Sequence, residues 1–517
     1  MSSLLKHLHI IGIWGIWVSA LARYYKYLGY SVSGSDGTDS PLLDTLRTEG
    51  FEIYIGHDAK NIRPNTDLVI YSEAIITKPD LTPEEQIYSN PELAKARDLG
   101  IVHLSYPVAL GHVFDAKQGI AITGSHGKST TTAMTGIMLS HNEVKSEKWK
   151  VKSIWASVIV GTQVPQLGNS NFHYEDSEYF VIEACEYKRS FLQYHPYITV
   201  ITNIDLDHLD YYTSLEDYIS AFQSLVDQTR GYVIISADDE SSQKLVIPEE
   251  KKIIVGKIPL DKGGSHEVIG RSSSEDSIQN PPNPFSQGGN PVITYFPRVE
   301  EMKDDVKEVY YTEKEMLIPD MSLQVPWDHL LQDACLAYTI GKLLGMQDDI
   351  IVSKLESYKW SWRRSEIVKT TAHGNILISD YGHHPNEIRP TLRAIRTKYV
   401  DKKLFVVFQP HQYSRTRELL QEFAISFSDA DMLIIPDIYF SRDKQEDVEW
   451  MTMDRLIEAI QHAEDSMQWT GGKIIQYGAG LENTAKLIWE YDEQNPNSSV
   501  ILLLGAGDVD GLRYEII

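Results

Sequence analysis

A chain of 517 residues exceeds one ordinary domain, and at ~150 residues per domain it predicts about three. Its 42% hydrophobic and 23% charged residues are those of a globular protein, and no apolar run approaches the ~18 residues of a membrane span. A formal net charge of −25 argues against nucleic acid as a partner and obliges any anionic ligand to be held by local positive groups.

The opening residues, MSSLLKHLHIIGI, pass directly into a strand without a small-residue cleavage site, so no signal peptide is expected. Cys185 and Cys335 supply neither a disulfide framework nor a zinc spacing, which fits the cytoplasm. The strand ends at a turn holding Gly12 and Gly15, a helical stretch follows, and a second strand closes at Asp36. That order predicts a βαβ unit of dinucleotide type, whose turn should read G-x-G-x-x-G so that backbone can approach a pyrophosphate. Trp14 and Trp17 stand where the second and third glycines belong.

Short apolar runs then alternate with helical stretches: DLVIYS, GIAITG, YFVIEA, ITVITNI, GYVIISA, NILISDY, LFVVFQ, DMLIIPDI and VILLLGAG. The alternation predicts α/β layers with largely parallel sheets. Residues 257–290, rich in Ser, Gly, Pro and Asn, read as an inserted loop. Three domains are expected, at 1–112, 113–362 and 363–517.

GIAITG opens into Gly124-Ser125-His126-Gly127-Lys128-Ser129-Thr130 and then a helix. Glycines there expose N–H groups to phosphate oxygens and the helix start adds partial positive charge. Lys128 is placed to reach β- and γ-phosphates, and the Ser129 hydroxyl to ligate Mg²⁺. The strict P-loop pattern wants a glycine at 122, where Ile122 stands. Glu183 ends the strand YFVIE, where open α/β sheets bind ligands, and His208 follows the next strand. Glu183 suits a hard cation bridging phosphates, and His208 a second one.

These residues, with SGSD (33–36), YSEAI (71–75), GSHGKSTTTAM (124–134), EACEY (183–187), TNIDLDHLDYY (202–212), DYGHHP (380–385) and FQPHQYSRTR (408–417), resemble the Mur ligase family over nearly the whole chain. The resemblance implies three α/β domains: a Rossmann-like N-terminal domain for a UDP-sugar, a P-loop ATPase domain, and a Rossmann-like C-terminal domain. It implies ATP and Mg²⁺ as cofactors, with UDP-N-acetylmuramate and L-alanine as substrates joined through an acyl phosphate. A sibling that recycles a tripeptide, or a degenerate nucleotide-binding paralogue, are the alternatives. The motifs carry over Gly12, Gly15, Asp36 and Ser72 as UDP-sugar residues. His329, Arg364 and Asp380 join the ATP site. Lys128, Glu183, His208, His411 and Arg415 form the catalytic set, with Ser129, Glu183 and His208 at metals. His411, Arg415 and Arg417 face the amino acid, a guanidinium fork being suited to its carboxylate. Oligomeric state is left open.

Several positions depart from the family pattern. Trp14, Trp17, Trp327 and Trp360 replace glycines, with Trp155 a further candidate, and Leu330 and Asp333 replace asparagines expected near the adenine. An indole in a tight turn costs more than the ~1–3 kcal/mol of extra methylenes in a packed site. Either the UDP pocket is closed, or these are UGA codons translated as tryptophan that certain bacterial lineages read as glycine. The second reading is favoured, because the polar catalytic set is intact.

Overall fold

The computed structural model describes residues 6–75, 82–140, 154–208, 211–255, 298–302, 305–311, 317–318, 321, 323, 328–441, 443–466 and 474–516. The inserted loop expected at 257–290 and Trp327 lie outside them, and of His329 only the backbone is described. Each apolar run anticipated above is a strand. Such runs carry no hydrophilic alternation because both faces of a parallel strand are covered.

The chain divides into two compact units. The first comprises Met1–Asp205, Leu215–Ser322 and Asp333–Glu356. Its N-terminal sheet joins β1 (His7–Ile11), β2 (Ser31–Asp36), β3 (Glu52–Ile55), β4 (Leu68–Tyr71) and β5 (Val102–Ser105) in the order β3-β2-β1-β4-β5, all parallel. Strand order reverses at β1, so the turn after β1 sits where this architecture opens a ligand crevice.

A second sheet of the same unit contains β6 (Gln118–Thr123), β7 (Ala156–Val164), β8 (Ser170–His173), β9 (Tyr179–Glu183), β10 (Ile198–Ile201), β11 (Tyr232–Ser236) and β12 (Lys252–Val255). Its order is β12-β11-β10-β6-β9-β7-β8, antiparallel only between β7 and β8. The helix Ile16–Tyr27 ties the two sheets together: Arg23 donates to Asn171 Oδ1 at 2.6 Å, and Tyr24 stacks on Phe180 with centroids 5.0 Å apart. A small antiparallel sheet, β13 (Arg298–Met302), β14 (Asp305–Tyr311) and β15 (Leu317–Ile318), follows.

The second unit comprises Leu206–Ser214, Leu323–Gln332 and Ser357–Ile517. Its sheet runs β16 (Glu366–Thr370), β17 (Ile376–Asp380), β21 (Ser499–Leu504), β18 (Lys403–Phe408), β19 (Met432–Ile435), β20 (Ile474–Tyr477), parallel beyond the first pair. Leu377, Phe405, Ile434 and Ile501 close its core against Ile488 and Leu512. Residue 112 falls inside the helix Tyr106–Phe114, whereas 362 lies between the helix Asp348–Glu356 and β16. Among the described residues no helix is long and apolar enough to cross a membrane.

Candidate functional site

In the first unit, three adjacent parallel strands, β10, β6 and β9, end side by side, and their C-terminal ends frame one turn. After β6 the chain passes through Gly124 at φ +130° and Gly127 at φ +80° before the helix Lys128–Met138 begins. A Cβ on Gly124 would lie 2.2 Å from Thr202 Oγ1, and one on Gly127 2.6 Å from Asp333 Oδ1, so both positions require glycine. Asn203, just past β10, fastens the turn: its carbonyl accepts from Ser125 N at 3.0 Å and its Oδ1 from His126 N at 2.9 Å.

Lys128 folds back over this turn. Its ammonium donates to the carbonyls of Gly124 and Ser125 and to Glu186 Oε1 at 3.0 Å. Burial pulls its pKa down, but the neighbouring carboxylates, Glu186 foremost, raise it on balance. Ser129 Oγ donates to Glu183 Oε1 at 2.9 Å, and Glu183 Oε2 accepts from Gly161 N at 2.8 Å. Thr130 is buried behind them. Ser129 and Glu183 thus set two hard oxygen donors beside a helix start. Among the described residues no three His, Cys, Asp or Glu side chains gather as a metal cluster. A cation here would therefore be completed by phosphate oxygens and water, as Mg²⁺ prefers. Asp333, at the expected adenine-side asparagine, accepts from Thr131 Oγ1 at 2.9 Å.

The N-terminal turn gathers Gly12, Gly15, Asp36 and Ser72. Gly12 has φ +77°, and a Cβ there would lie 2.8 Å from Ser72 Cβ. Gly15 caps the helix Ile16–Tyr27, and Asp36 Oδ2 accepts from Trp14 N at 3.0 Å. Trp14 is 49% exposed. Trp17 reaches the second sheet: a Cβ on Gly161 would meet its Cζ2 at 2.4 Å and Glu183 Oε2 at 2.9 Å. The indole therefore lies against the strand that carries the backbone partner of Glu183.

The second unit brings together a different group. Arg415 is buried and donates to Asp207 Oδ1 at 2.7 Å, with His411 Nδ1 3.5 Å from its other terminal nitrogen. Burial works to raise the Asp207 pKa, but Arg415, His208 and His383 hold it well below the carboxylate range. His411 stacks on Tyr439, and burial pushes the nearby His383 down to about 3. His208 follows Asp207 at φ +54°. Asp380 accepts from Ser365 N at 2.7 Å and Gly382 N at 2.8 Å. Arg364 lies over the Tyr381 ring, and Arg363 donates to the Gly507 carbonyl at 3.0 Å. Arg417 is not with Arg415; it pairs with Asp447 at 2.6 Å, as a residue two positions along a helix must face elsewhere. Asn203, Asp207, Glu186 and Tyr218 escaped the sequence reading; the first three lie inside its quoted motifs, which was the only signal available.

Three family profiles match the chain: "Mur ligase family, catalytic domain" over residues 7–118, "Mur ligase middle domain" over 122–279, and "Mur ligase, glutamate ligase domain" over 363–507. A UDP-N-acetylmuramate–L-alanine ligase of Clostridium novyi is 34% identical over 511 residues, covering 98% of this chain and 95% of the relative. One from Clostridium acetobutylicum is 34% identical over 507 residues, covering 98% and 96%. The fold is shared with the crystal structure of a UDP-N-acetylmuramate–alanine ligase from Thermotoga maritima, at TM-score 0.71 and 24% identity over 99% of this chain and 98% of that one. A murein peptide ligase from Psychrobacter arcticus aligns at TM-score 0.62 and 20% identity, covering 99% and 98%.

Proposed function

The chain belongs to the Mur ligase family, and on that premise we propose that it joins L-alanine to the lactyl carboxylate of UDP-N-acetylmuramate with hydrolysis of ATP. The observation that carries this reading is the full-length similarity to ligases of that activity. It is an amide-forming ligase of peptidoglycan precursor synthesis, and substrates of that kind assign it to the cytoplasm.

The reaction sets two anions, a carboxylate and a triphosphate, against each other, so the site must supply positive charge where they meet. Lys128 and the N–H groups of Gly127–Thr130, at the helix start, take the phosphates, while those of Ser125 and His126 stay on Asn203. Ser129 and Glu183 would hold Mg²⁺, which when bound neutralises charge on the phosphate oxygens. His208 would serve a second cation, and His329, Arg364 and Asp380 the nucleotide. The turn of Gly12 and Gly15, with Asp36 and Ser72, takes the UDP group at a helix start. Transfer of the γ-phosphoryl group of ATP to the lactyl carboxylate breaks the bond to the β-phosphate, makes an acyl phosphate and leaves ADP. The alanine amine, as the free base, attacks its carbonyl carbon, phosphate leaves with the C–O bond electrons, and the nitrogen gives up one proton to the departing phosphate or to water. His411 and Arg415 orient the alanine carboxylate, Arg415 through its guanidinium fork.

The test is phosphate release in the presence of ATP, Mg²⁺, UDP-N-acetylmuramate and each amino acid in turn. Release that requires both the sugar nucleotide and L-alanine is expected. Release supported by a tripeptide and not by L-alanine would overturn the assignment.

A further inference from the structure

We propose that Glu186 is a positioning residue of the phosphate turn, holding the Lys128 ammonium where charge develops on the transferred phosphoryl group. The inference rests on the ATP-dependent reading above and adds a residue to it. Glu186 is fully buried, three positions beyond Glu183, and the two carboxylates have separate partners. Glu183 takes the Ser129 hydroxyl and the Gly161 N–H. Glu186 Oε1 accepts from Lys128 Nζ at 3.0 Å and from the Tyr218 hydroxyl at 3.3 Å.

Tyr218 is itself fully buried, on the helix Leu215–Gln228, and its hydroxyl lies 3.1 Å from Ser125 Oγ. Ser125 Oγ in turn donates to the Asp205 carbonyl at 2.6 Å and accepts from Asp205 N at 2.8 Å. Glu186 is therefore joined to the turn directly through Lys128, and the Tyr218 hydroxyl that donates to it lies against Ser125 of the same turn. A carboxylate buried without a counter-charge is expensive, and Lys128 is the cation that meets it. Lysine carries its charge on a flexible four-carbon stem, so an ammonium aimed in advance needs an anchor. Glu186 provides that anchor from behind the turn, so that a phosphate has only to take over the N–H groups that meet the Gly124 and Ser125 carbonyls.

A negative anchor cannot help bind a triphosphate in the ground state; its benefit lies in preorganising Lys128 for the transition state. Glu186→Gln should therefore lower kcat by about tenfold or more while the KM for ATP stays level or falls. Tyr218→Phe should show the same split, more weakly. Glu186→Asp, which keeps the charge, should recover part of kcat. A collapsed turn would instead raise the ATP KM. A second readout is independent of turnover. Lys128→Ala leaves the Glu186 carboxylate buried without its cation beside the phosphates, so adding Glu186→Gln should tighten Mg·ATP binding by about fivefold over Lys128→Ala alone, measured by calorimetry. A kcat for Glu186→Gln within about twofold of the unaltered enzyme, a tenfold rise in its ATP KM, or a double variant no tighter than Lys128→Ala would overturn the inference. Failure of the unaltered chain to bind Mg·ATP would overturn the reading beneath it, a result distinct from those three.

Discussion

In the proposed reaction Lys128 concentrates the chemistry at the scale of single residues, its ammonium lying over the turn of Gly124 and Gly127. Lys128→Ala should leave the chain folded but less stable, because buried Glu186 loses its cation, and cost on the order of 10²–10³ in kcat, read as phosphate release. Activity within about tenfold would remove it from the catalytic set. Trp17 poses the opposite question. Neither Trp14 nor Trp17 is among the residues at positive φ, so the backbone at both tolerates a side chain. Space decides instead, because the Trp17 indole crowds Gly161 beside Glu183. The double variant Trp14→Gly, Trp17→Gly should bind UDP-N-acetylmuramate more tightly by calorimetry while ATP affinity stays as it was. Equal sugar-nucleotide affinity would show that the indoles are accommodated. Mass spectrometry of the N-terminal peptide from the source cell reads the same point directly: glycine masses are expected, and two indoles would exclude reassigned codons.

At the scale of elements, the six-residue helix Tyr413–Glu418 owes its placement to Arg415, which binds buried Asp207 across 208 residues of sequence. Arg415→Ala should raise the KM for L-alanine far more than that for ATP. It should also cost about 3–5 kcal/mol of stability, because Asp207 is left buried and unpaired. Adding Asp207→Asn should return much of the stability and none of the alanine affinity. A collapse of ATP affinity would instead assign the guanidinium to the nucleotide.

The N-terminal sheet has a comparable knot. Fully buried Glu92 accepts from Ser35 Oγ at 2.7 Å and Asn61 Nδ2 at 2.8 Å, with His57 Nδ1 at 2.8 Å and His9 Nε2 at 3.3 Å. Burial pushes its pKa up, but the His57 and His9 hydrogen bonds outweigh burial and hold it at about 2, below the ordinary 4.5. That stabilisation is present above pH 4.5 and is lost as pH falls toward 2. The carboxylate raises His57 above 6.5, so its share is full below that pH and is lost as pH rises through the folded value. Glu92→Gln should cost on the order of 3 kcal/mol near pH 6, measured by urea unfolding. It should also flatten the loss of stability below pH 4.5. An unchanged acid limb would mean the network does not control it.

At the scale of the whole molecule, a net charge of −25 opposes the two nucleotide substrates proposed here, ATP and UDP-N-acetylmuramate, both of which are strongly anionic. Screening weakens that field over a Debye length of about 10 Å at 0.1 M salt, while the buried Lys128 pair is screened less. The KM for UDP-N-acetylmuramate should therefore fall as ionic strength rises from about 0.01 to 0.15 M. A KM that climbs steadily with salt would mean that local positive groups dominate the approach.

The sequence by itself determined the strands, their α/β order, both glycine turns and the family. These rest on short-range physics: apolar runs of a few residues mark buried parallel strands, and Gly124 and Gly127 with Lys128 form a turn from adjacent positions. Asp36 was legible as the close of a recognisable strand, whereas Ser72 entered only through the family resemblance. Only the tertiary structure decided which charges meet. Lys128 and Glu186 are 58 positions apart, and Arg415 and Asp207 are 208 apart. Nothing in a local pattern distinguishes a buried carboxylate from a solvated one. It likewise separated Arg415, sunk against Asp207, from Arg417, turned toward Asp447, although both belong to one motif. Pairing of this kind follows from desolvation, since a charge leaves water only where the fold delivers its partner, and that delivery belongs to the packed chain.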